Sequence, residues 1–148
     1  MRFPTLRGSP MHKQIISIFL VFLSFPLFAQ QPTSNFYKVR LGKVIDGDTF
    51  KVYLACSYKL FCKSVSVRVR GIDTPELKSK DETKRAKAQE AKRFTQEFLT
   101  GHKIVLKRCT RGKYFRLLCD VYADNKSLAD VLLAANLAVP YNGGTKTL

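Results

Sequence analysis

The chain is short and strongly basic: its 148 residues contain 26 Lys and Arg against 11 Asp and Glu, a formal net charge of +15. This length leaves room for one domain. The charge indicates a polyanionic partner, with nucleic acid as the first candidate. A basic surface that serves solubility or adhesion to an anionic cell envelope fits the charge equally well.

Residues 1–29 are predicted to be a signal peptide. Three basic residues precede an uncharged apolar stretch over 15–28, and Ala29 follows at the expected cleavage position. The apolar stretch is too short for a comfortable transmembrane span. We therefore expect a secreted or periplasmic protein without stable membrane insertion. Its domain comprises residues 30–148, with 23 Lys and Arg, 11 Asp and Glu, and a net charge of +12.

All four cysteines lie in the expected mature domain. Exported chains with an even number of cysteines usually pair them, and four cysteines allow three pairings. We favour Cys56–Cys62 and Cys109–Cys119, because each pair brackets a predicted loop or hairpin. A zinc site is the alternative, but the sequence has no CxxC motif and His102 stands alone.

The first third of the domain is predicted to form strands. Apolar and polar residues alternate in three runs, at 37–45, 50–54 and 65–69. An Asp46-Gly47 turn joins the first two strands, and Gly47 is expected to adopt a positive φ there. In the third strand, the alternation places Arg68 and Arg70 on the same face.

A helix is predicted after the third strand, which Pro75 ends. The charged stretch 78–87 begins as a loop, and the helix then continues to about Leu99, with Gly101 as its C-terminal cap. Helical spacing marks an inner face formed by Ala88, Ala91, Phe94 and Phe98.

Two further strands are predicted, over 104–106 and 117–122. A second helix over 128–135 follows, capped by Ser127 or Asn125, and Asn136 can take the left-handed position at its end. Five strands with a helix after the third and another near the end predict an α+β, mainly β fold: a five-stranded OB-fold barrel with flanking helices. Such barrels bind polynucleotides across one face.

Two segments place carboxylates beside tight turns in this basic chain. One is Asp-Gly-Asp-Thr at 46–49, and the other is Arg-Val-Arg-Gly-Ile-Asp-Thr-Pro-Glu at 68–76. Carboxylate oxygens suit a hard divalent cation, and arginines suit the charge that develops on phosphorus during phosphodiester cleavage. The residues alone therefore indicate a metal site that acts on a phosphodiester.

These two segments, followed by Lys-Tyr-x-Arg at 113–116, resemble the staphylococcal nuclease (thermonuclease) family in order and spacing. The resemblance covers roughly residues 36–141. It implies an OB-fold phosphodiesterase that depends on Ca²⁺ and cuts DNA and RNA with little sequence preference. We expect single-stranded or frayed regions to be preferred and the protein to be a monomer.

By position, the resemblance implies that Asp48, Asp73 and the backbone carbonyl of Thr74 bind calcium. Asp46 is the competing carboxylate, and its favoured interpretation is a residue that closes the Asp-Gly turn. Glu76 resembles the general base of the family, or the group that positions the attacking water.

Arg68 and Arg116 resemble the two arginines that hold the scissile phosphate, for which a planar guanidinium fork is suited. The spacing to Asp73 selects Arg68 over Arg70, which we interpret as surface charge or an accessory phosphate contact. The resemblance implies that substrate is bound by Lys113, Tyr114 and Tyr141. For Tyr141, a packing role is a close alternative.

The sequence departs from the family pattern in the loop before Arg116. Phe115 stands where the family usually has Gly, Gly112 replaces the usual Asp, and the loop is a few residues shorter. These differences bear on how the residues at 113–114 meet substrate. The sequence also ends eight residues after Pro140, before the position of the final helix of the staphylococcal enzyme.

Two other functions fit parts of the sequence. A catalytically inactive OB-fold module would bind nucleic acid without cutting it, and a basic envelope-binding protein would account for the charge. Envelope binding does not explain the carboxylates, and a binding-only descendant has little reason to keep every site residue. The enzyme is favoured by the complete set of Asp48, Arg68, Asp73, Glu76 and Arg116.

Overall fold

The structure, a computed structural model, describes residues 33–55 and 64–144. The predicted signal peptide and the predicted Cys56–Cys62 pair lie outside the described residues. The described strands are β1 (Ser34–Val44), β2 (Thr49–Leu54), β3 (Val65–Val69), β4 (Ile72–Asp73), β5 (Ile104–Arg111), β6 (Leu117–Ala123), β7 (Lys126–Ser127) and β8 (Val139–Pro140). The described α-helices are α1 (Glu82–Leu99) and α2 (Leu128–Ala134), and a 3₁₀ turn spans Lys113–Phe115. Within these described ranges, no helix is both long and apolar enough to cross a membrane.

Five strands close into a barrel. Their order is β3-β2-β1-β5-β6 with antiparallel neighbours, and a parallel pairing of β3 with β6 closes the sheet. β7 extends the sheet beyond β6, and β4 pairs with β8 in a separate two-stranded sheet. The predicted α+β OB-fold barrel with flanking helices is confirmed. Closure also brings the start of β2, the end of β3 and the start of β6 together.

The barrel interior and the inner faces of both helices share one hydrophobic core. Its largest fully buried apolar side chains include Phe50, Ile72, Leu99, Leu106, Leu128 and Leu132. Full burial of a side chain of this size contributes about 1.5–3 kcal/mol relative to leaving it exposed. The core therefore holds the strand ends that carry the predicted site in fixed positions.

Helix α1 begins earlier than predicted, inside the stretch interpreted as a loop. The Asp81 side chain accepts a hydrogen bond of 3.2 Å from the Lys84 backbone N–H and so caps the first turn. At the other end, Gly101 has φ of 78° directly after the helix, which confirms the predicted glycine termination.

The inner face of α1 also differs from the prediction. Ala88 and Ala91 are buried as expected, but the deepest positions further along the helix are Thr95 and Leu99. Phe94 and Phe98, predicted to face the core, are only partly buried and stack on each other with ring centroids 6.3 Å apart. The buried face is therefore rotated by about one residue, which places a threonine hydroxyl inside the protein.

The prediction of a positive φ at Gly47 is wrong, because Gly47 does not adopt one. The residue is needed for space instead: a Cβ atom at Gly47 would lie 2.8 Å from the Ala91 Cβ and 2.9 Å from the Thr74 Cγ2. The turn itself is closed by two backbone N–H groups that donate to the Thr49 carbonyl, at 2.9 and 3.1 Å. Only glycine lets helix α1 and the segment after β4 approach this turn.

The second helix is capped by Ser127 rather than Asn125. The Ser127 hydroxyl accepts a hydrogen bond of 3.3 Å from the Asp130 N–H, whereas Asn125 lies with Asp124 in the β6–β7 turn, where both have positive φ. Asn136 has φ of 56° just past the helix, which confirms its predicted left-handed conformation.

Cys109 in β5 and Cys119 in β6 form a disulfide, as predicted. The bridge closes the base of the hairpin that carries residues 113–116. The Arg70 N–H donates to the Cys119 carbonyl at 2.8 Å, which ties the bridged hairpin to the end of β3.

We expect the double variant Cys109→Ala/Cys119→Ala to lose about 2–4 kcal/mol of unfolding free energy and part of its activity, because the bridge restrains the loop that presents Arg116. Denaturant unfolding and turnover of the variant, each compared with the wild type, measure the two effects. Unchanged stability in the double variant would contradict the prediction. Mass spectrometry of the non-reduced wild type should find no free thiol at either cysteine.

Candidate active site

Strand registers bring the predicted site residues together. Thr49 in β2 pairs with Arg68 in β3, which places Asp48 beside the Arg68 side chain. Arg68 also pairs with Leu118 in β6, and Arg116 directly precedes that strand. Asp48, Arg68 and Arg116, which are 20 to 68 positions apart in the chain, thus meet at one end of the barrel because β3 lies between β2 and β6.

One cleft of about 800 Å³ opens at this end of the barrel. Eight of the nine residues predicted for catalysis, metal binding and substrate binding line it: Asp48, Arg68, Thr74, Glu76, Lys113, Tyr114, Arg116 and Tyr141. The ninth, Asp73, is buried directly behind the cleft and contacts Arg68. Tyr141 reaches the cleft through the β4–β8 pairing, where its N–H donates to the Gly71 carbonyl at 2.9 Å.

The Arg68 guanidinium bridges two buried carboxylates. Its Nη1 lies 2.5 Å from Asp48 Oδ1, and its Nη2 lies 2.5 Å from Asp73 Oδ1. Burial disfavours the guanidinium charge, but the two carboxylates outweigh it and raise the pKa of Arg68. Arg68 therefore keeps its charge with its fork held in one orientation.

Asp48 is almost completely buried and is held from several sides. Its Oδ1 accepts from the Thr49 hydroxyl at 2.8 Å, and its Oδ2 accepts from the Thr74 N–H at 3.1 Å. Burial raises the pKa of Asp48 to about 6 although Arg68 opposes the rise, and the neighbouring Asp46 adds to it. The ionised form is thus costly unless a further positive charge is present.

Asp46 takes part in closing the turn through its backbone, whose N–H donates to the Thr49 carbonyl at 3.1 Å, while its side chain lies beside Asp48. Its Oδ1 is buried and accepts no hydrogen bond from the described part of the chain. A buried carboxylate oxygen in this state is unfavourable without a cation or water. The Asp46 backbone thus helps to close the turn, and its carboxylate raises the pKa of the neighbouring Asp48.

The chemistry of these donors fits a hard divalent cation. Asp48 and Asp73 supply buried carboxylates and Asp46 a half-buried one, and calcium accepts backbone carbonyls and water to complete its shell. Among residues 33–55 and 64–144, no group of three or more His, Cys, Asp and Glu side chains is arranged to hold a metal ion. Carbonyl oxygens, water, or both must therefore complete any site built here.

The sequence comparisons agree with this arrangement. Residues 66–147 match the family model described as staphylococcal nuclease homologue, which includes β3, the segment through Glu76 and the loop to Arg116. The chain belongs to the staphylococcal nuclease family.

Two curated relatives come from Bacillus subtilis (strain 168). The chain is 36% identical over 103 residues to endonuclease YncB, an alignment that covers 68% of this chain and 46% of that protein. It is 35% identical over 103 residues to the SPbeta prophage-derived endonuclease YokF, covering 68% of this chain and 33% of that protein. The chain thus spans less than half the length of either relative.

The backbone conformation of the loop before Arg116 bears on its departures from the staphylococcal nuclease pattern. Phe115 has φ of 57°, in the left-handed region where glycine is favoured, which accounts for the glycine usual in the family at this position. A Cβ at Gly112 would make a tight contact of 3.1 Å with the Arg116 carbonyl oxygen, so glycine suits this conformation of the loop. The shorter loop of this chain exposes the aromatic ring of Phe115.

Arg70 is a structural residue in this member of the family, in contrast to the predicted surface charge or phosphate contact. Its Nη2 donates to the Arg108 carbonyl at 2.7 Å and to the Leu118 carbonyl at 2.8 Å. Its Nε also lies 3.4 Å from Asp120 Oδ1. Arg70 thus links the end of β3 to the bulge in β5, where the β5–β6 register shifts between Lys107 and Thr110. Of the two arginines, only Arg68 lines the cleft.

Sequence reasoning missed Thr95 as a positioning residue. Its hydroxyl, buried on α1, donates to the Gly47 carbonyl at 2.6 Å and fixes the turn that carries Asp48. A signal was present, since Thr95 and Leu99 continue the helical spacing of Ala88 and Ala91. A polar residue in an apolar helix face indicates a buried hydrogen bond.

We expect Asp48→Asn to make the metal-free protein more stable at pH 7 although it removes a predicted metal ligand. The pKa of Asp48 is raised on folding from 3.8 to about 6. The folded state therefore binds more protons than the unfolded state. The stability contributed by protonated Asp48 is fully present below pH 4 and is lost as the pH rises through 6. At pH 7 the ionised carboxylate is therefore unfavourable in the folded state, a cost that the neutral asparagine side chain avoids.

Thermal unfolding in chelator between pH 4 and pH 8 tests this expectation. The wild type should lose stability across pH 4–6 relative to Asp48→Asn, whose profile should be flatter there. A variant that is less stable than the wild type in chelator at pH 7 would contradict the argument.

Proposed function

We propose that the protein is a calcium-dependent nuclease that hydrolyses phosphodiester bonds of DNA and RNA with low sequence specificity. The proposal is carried by one cleft that combines buried carboxylates, a glutamate and two arginines in a strongly basic protein. Membership of the staphylococcal nuclease family supports it, as do the names of the two relatives, both endonucleases.

Calcium would be held by Asp48, Asp73 and the Thr74 carbonyl, with Asp46 near enough to raise the pKa of Asp48. When bound, the ion supplies positive charge that stabilises the developing charge on the phosphate oxygens. The same charge would offset the cost of ionising Asp48, so that metal binding and the raised pKa are linked.

Glu76 lines the cleft and would act as the general base, orienting the attacking water and taking its proton. Arg68 and Arg116 would donate hydrogen bonds to the non-bridging phosphate oxygens. Arg68 has five N–H groups and uses two for its close bonds to the carboxylates, so donors remain for phosphate. Because its fork is already fixed, it needs little reorganisation as charge develops.

Lys113, Tyr114 and Tyr141 would hold the strand on either side of the scissile phosphate. Lys113 and Tyr114 belong to the turn beside the cleft, where the Arg116 guanidinium lies 5.5 Å from the Tyr114 ring centroid. Cations beside aromatic planes bind phosphates and stack on bases without reading sequence. Single-stranded or frayed nucleic acid is therefore the preferred substrate that we propose.

We also propose that the protein is exported. The support is the basic, apolar and small-residue pattern of 1–29, together with the bridged cysteines, since disulfides persist in oxidising compartments. A secreted or periplasmic, monomeric enzyme would meet nucleic acid from outside the cell. Fractionation of expressing cells, followed by determination of the mature N-terminus by mass spectrometry, tests the cleavage near Ala29.

The activity test uses the exported, purified protein with plasmid DNA and with single-stranded RNA in calcium. We expect both polymers to be degraded to short fragments. Binding of both polymers without any cleavage would instead support the catalytically inactive OB-fold module. Absence of both binding and cleavage would overturn the proposed function.

A further inference from the structure

We propose that Arg111 and Phe115 form a second base-stacking platform at the edge of the cleft, which holds an additional nucleotide of a single-stranded polynucleotide. This inference rests on the proposed nuclease function and extends its substrate site. It predicts that longer single strands bind more tightly than fragments that fill only the cleft.

The first support is the exposure of Phe115. Its side chain is 84% exposed, and that of the adjacent Tyr114 is 82% exposed. Both residues adopt left-handed backbone conformations, with φ of 57° and 56°, which non-glycine residues rarely adopt. An exposed phenylalanine in a conformation that favours glycine contributes little to folding. Such strained, exposed positions are typical of ligand-binding segments.

The second support is the charge around the two rings. The Arg111 guanidinium lies over the Phe115 ring, 5.1 Å from its centroid, just as Arg116 lies over Tyr114. Arg111 also lines the cleft, whereas Phe115 lies outside it. Arg111 therefore connects the cleft to the outer ring, so that a strand leaving the cleft passes a cation next to an aromatic plane.

The third support is that the loop is fixed before substrate arrives. The Gly112 N–H donates to the Arg116 carbonyl at 2.7 Å, and the Arg116 N–H donates to the Lys113 carbonyl at 3.2 Å. The Cys109–Cys119 bridge closes the hairpin behind these bonds. A platform held in this way orders few groups on binding, which favours affinity.

Single-stranded nucleic acid is the occupant that fits these observations. Bases of a single strand can unstack and cover an aromatic ring, whereas bases in a duplex are already stacked on each other. The cations Arg111 and Lys113 match the phosphates on either side of such a base. A second copy of this protein fits poorly, because its net charge of the same sign would repel it.

The binding experiment uses tryptophan as a reporter, because the chain contains no tryptophan. Phe115→Trp is introduced into the slow Glu76→Gln variant, and Tyr37→Trp, at an exposed position on β1 that does not line the cleft, provides the matched control. A 12-nucleotide single strand should quench the emission of Phe115→Trp, whereas a dinucleotide and a 12-base-pair duplex should quench it far less. Tyr37→Trp should not respond.

No quenching at position 115 by a 12-mer whose binding is seen by fluorescence anisotropy would overturn the platform. Equal quenching at positions 37 and 115 would overturn it as well, because the contact would then be non-specific. If the 12-mer does not bind at all, both the platform and the proposed function fail.

The kinetic experiment compares Phe115→Ala, Phe115→Gly and the control Tyr37→Ala. For both Phe115 variants, the ratio of kcat/KM for the 12-mer to that for the dinucleotide should fall about 5- to 100-fold, mainly through KM. Phe115→Gly should unfold at or above the wild-type midpoint, because glycine accepts the left-handed φ. A packing role for Phe115 would instead lower stability and affect both substrates equally, which would overturn the platform.

The two proposals can fail separately. If the wild type cleaves both substrates but the ratio is unchanged in Phe115→Ala, the platform is wrong and the nuclease function stands. If the wild type cleaves neither substrate, the nuclease function fails, and the tryptophan titration still decides whether Phe115 contacts single strands.

Discussion

Removal of divalent cations should abolish cleavage of DNA and RNA by this protein. The buried carboxylates of Asp48 and Asp73 lie at the proposed active-site cleft, and burial already raises the pKa of Asp48 to about 6. Without a cation, the excess negative charge of this cluster would repel the substrate phosphate. Fragment release from plasmid DNA, measured with and without an excess of EGTA, should therefore fall to background when calcium is removed.

Re-addition of metals makes the test specific. Calcium should restore activity fully, whereas magnesium should restore less, because it requires stricter octahedral geometry and gives up its water reluctantly. EGTA already saturated with calcium is the control for effects of the chelator itself. Calcium should also raise the unfolding midpoint of the wild type but not that of Asp48→Asn. Full cleavage in excess chelator would refute a calcium-dependent enzyme.

The barrel was predictable because its signals are local. Period-two alternation marks the strands, and the segments that end them carry glycine or proline together with carboxylates. The disulfide between Cys109 and Cys119 follows from a hairpin that both residues bracket. The C-terminal ends of both helices were also predictable, since Gly101 and Asn136 adopt the left-handed conformations expected of them.

The remaining features depend on contacts between residues far apart in the chain. Gly47 looked like a turn glycine, yet it is required by the approach of Ala91 and Thr74. Arg68 and Arg70 share a strand face by alternation, but only the β5 bulge and the β6 carbonyls decide that Arg70 is structural. Strand periodicity predicts which face of the sheet a residue occupies, but it does not predict which residues of other elements that face contacts.

The site residues also combine features that the sequence predicts with features that depend on contacts between distant residues. Their order along the chain suggested the family, and the structure brings them to one cleft through the β2–β3 and β3–β6 registers. The bridge from Arg68 to Asp48 and Asp73 could not be read from sequence, because it depends on which strands are neighbours. The exposure of Phe115 was equally hidden, since an apolar residue near a strand is more often buried.

Substitution of Glu76 or Arg116 should remove most turnover without unfolding the protein. Both side chains line the cleft, and neither belongs to the buried core. Glu76→Gln removes the proposed general base, and Arg116→Ala removes a proposed donor to the phosphate oxygens. Each change should lower kcat about 10²- to 10⁴-fold, while thermal unfolding and circular dichroism stay close to wild type.

The matched controls come from an exposed ion pair on α1, in which Arg93 Nη1 lies 3.3 Å from Glu97 Oε1. Glu97→Gln and Arg93→Ala change the same charges as the two active-site substitutions but lie on the solvent-exposed face of a helix, where such a pair contributes little. Lys84→Ala, also on α1, should change only the salt dependence of affinity. If Glu76→Gln cleaves as fast as Glu97→Gln, then Glu76 is not the base.

Arg116→Lys separates the charge of Arg116 from its geometry. A kcat of Arg116→Lys near that of the wild type would show that charge alone suffices. A large remaining defect would show that the guanidinium fork is needed to hold two phosphate oxygens at once.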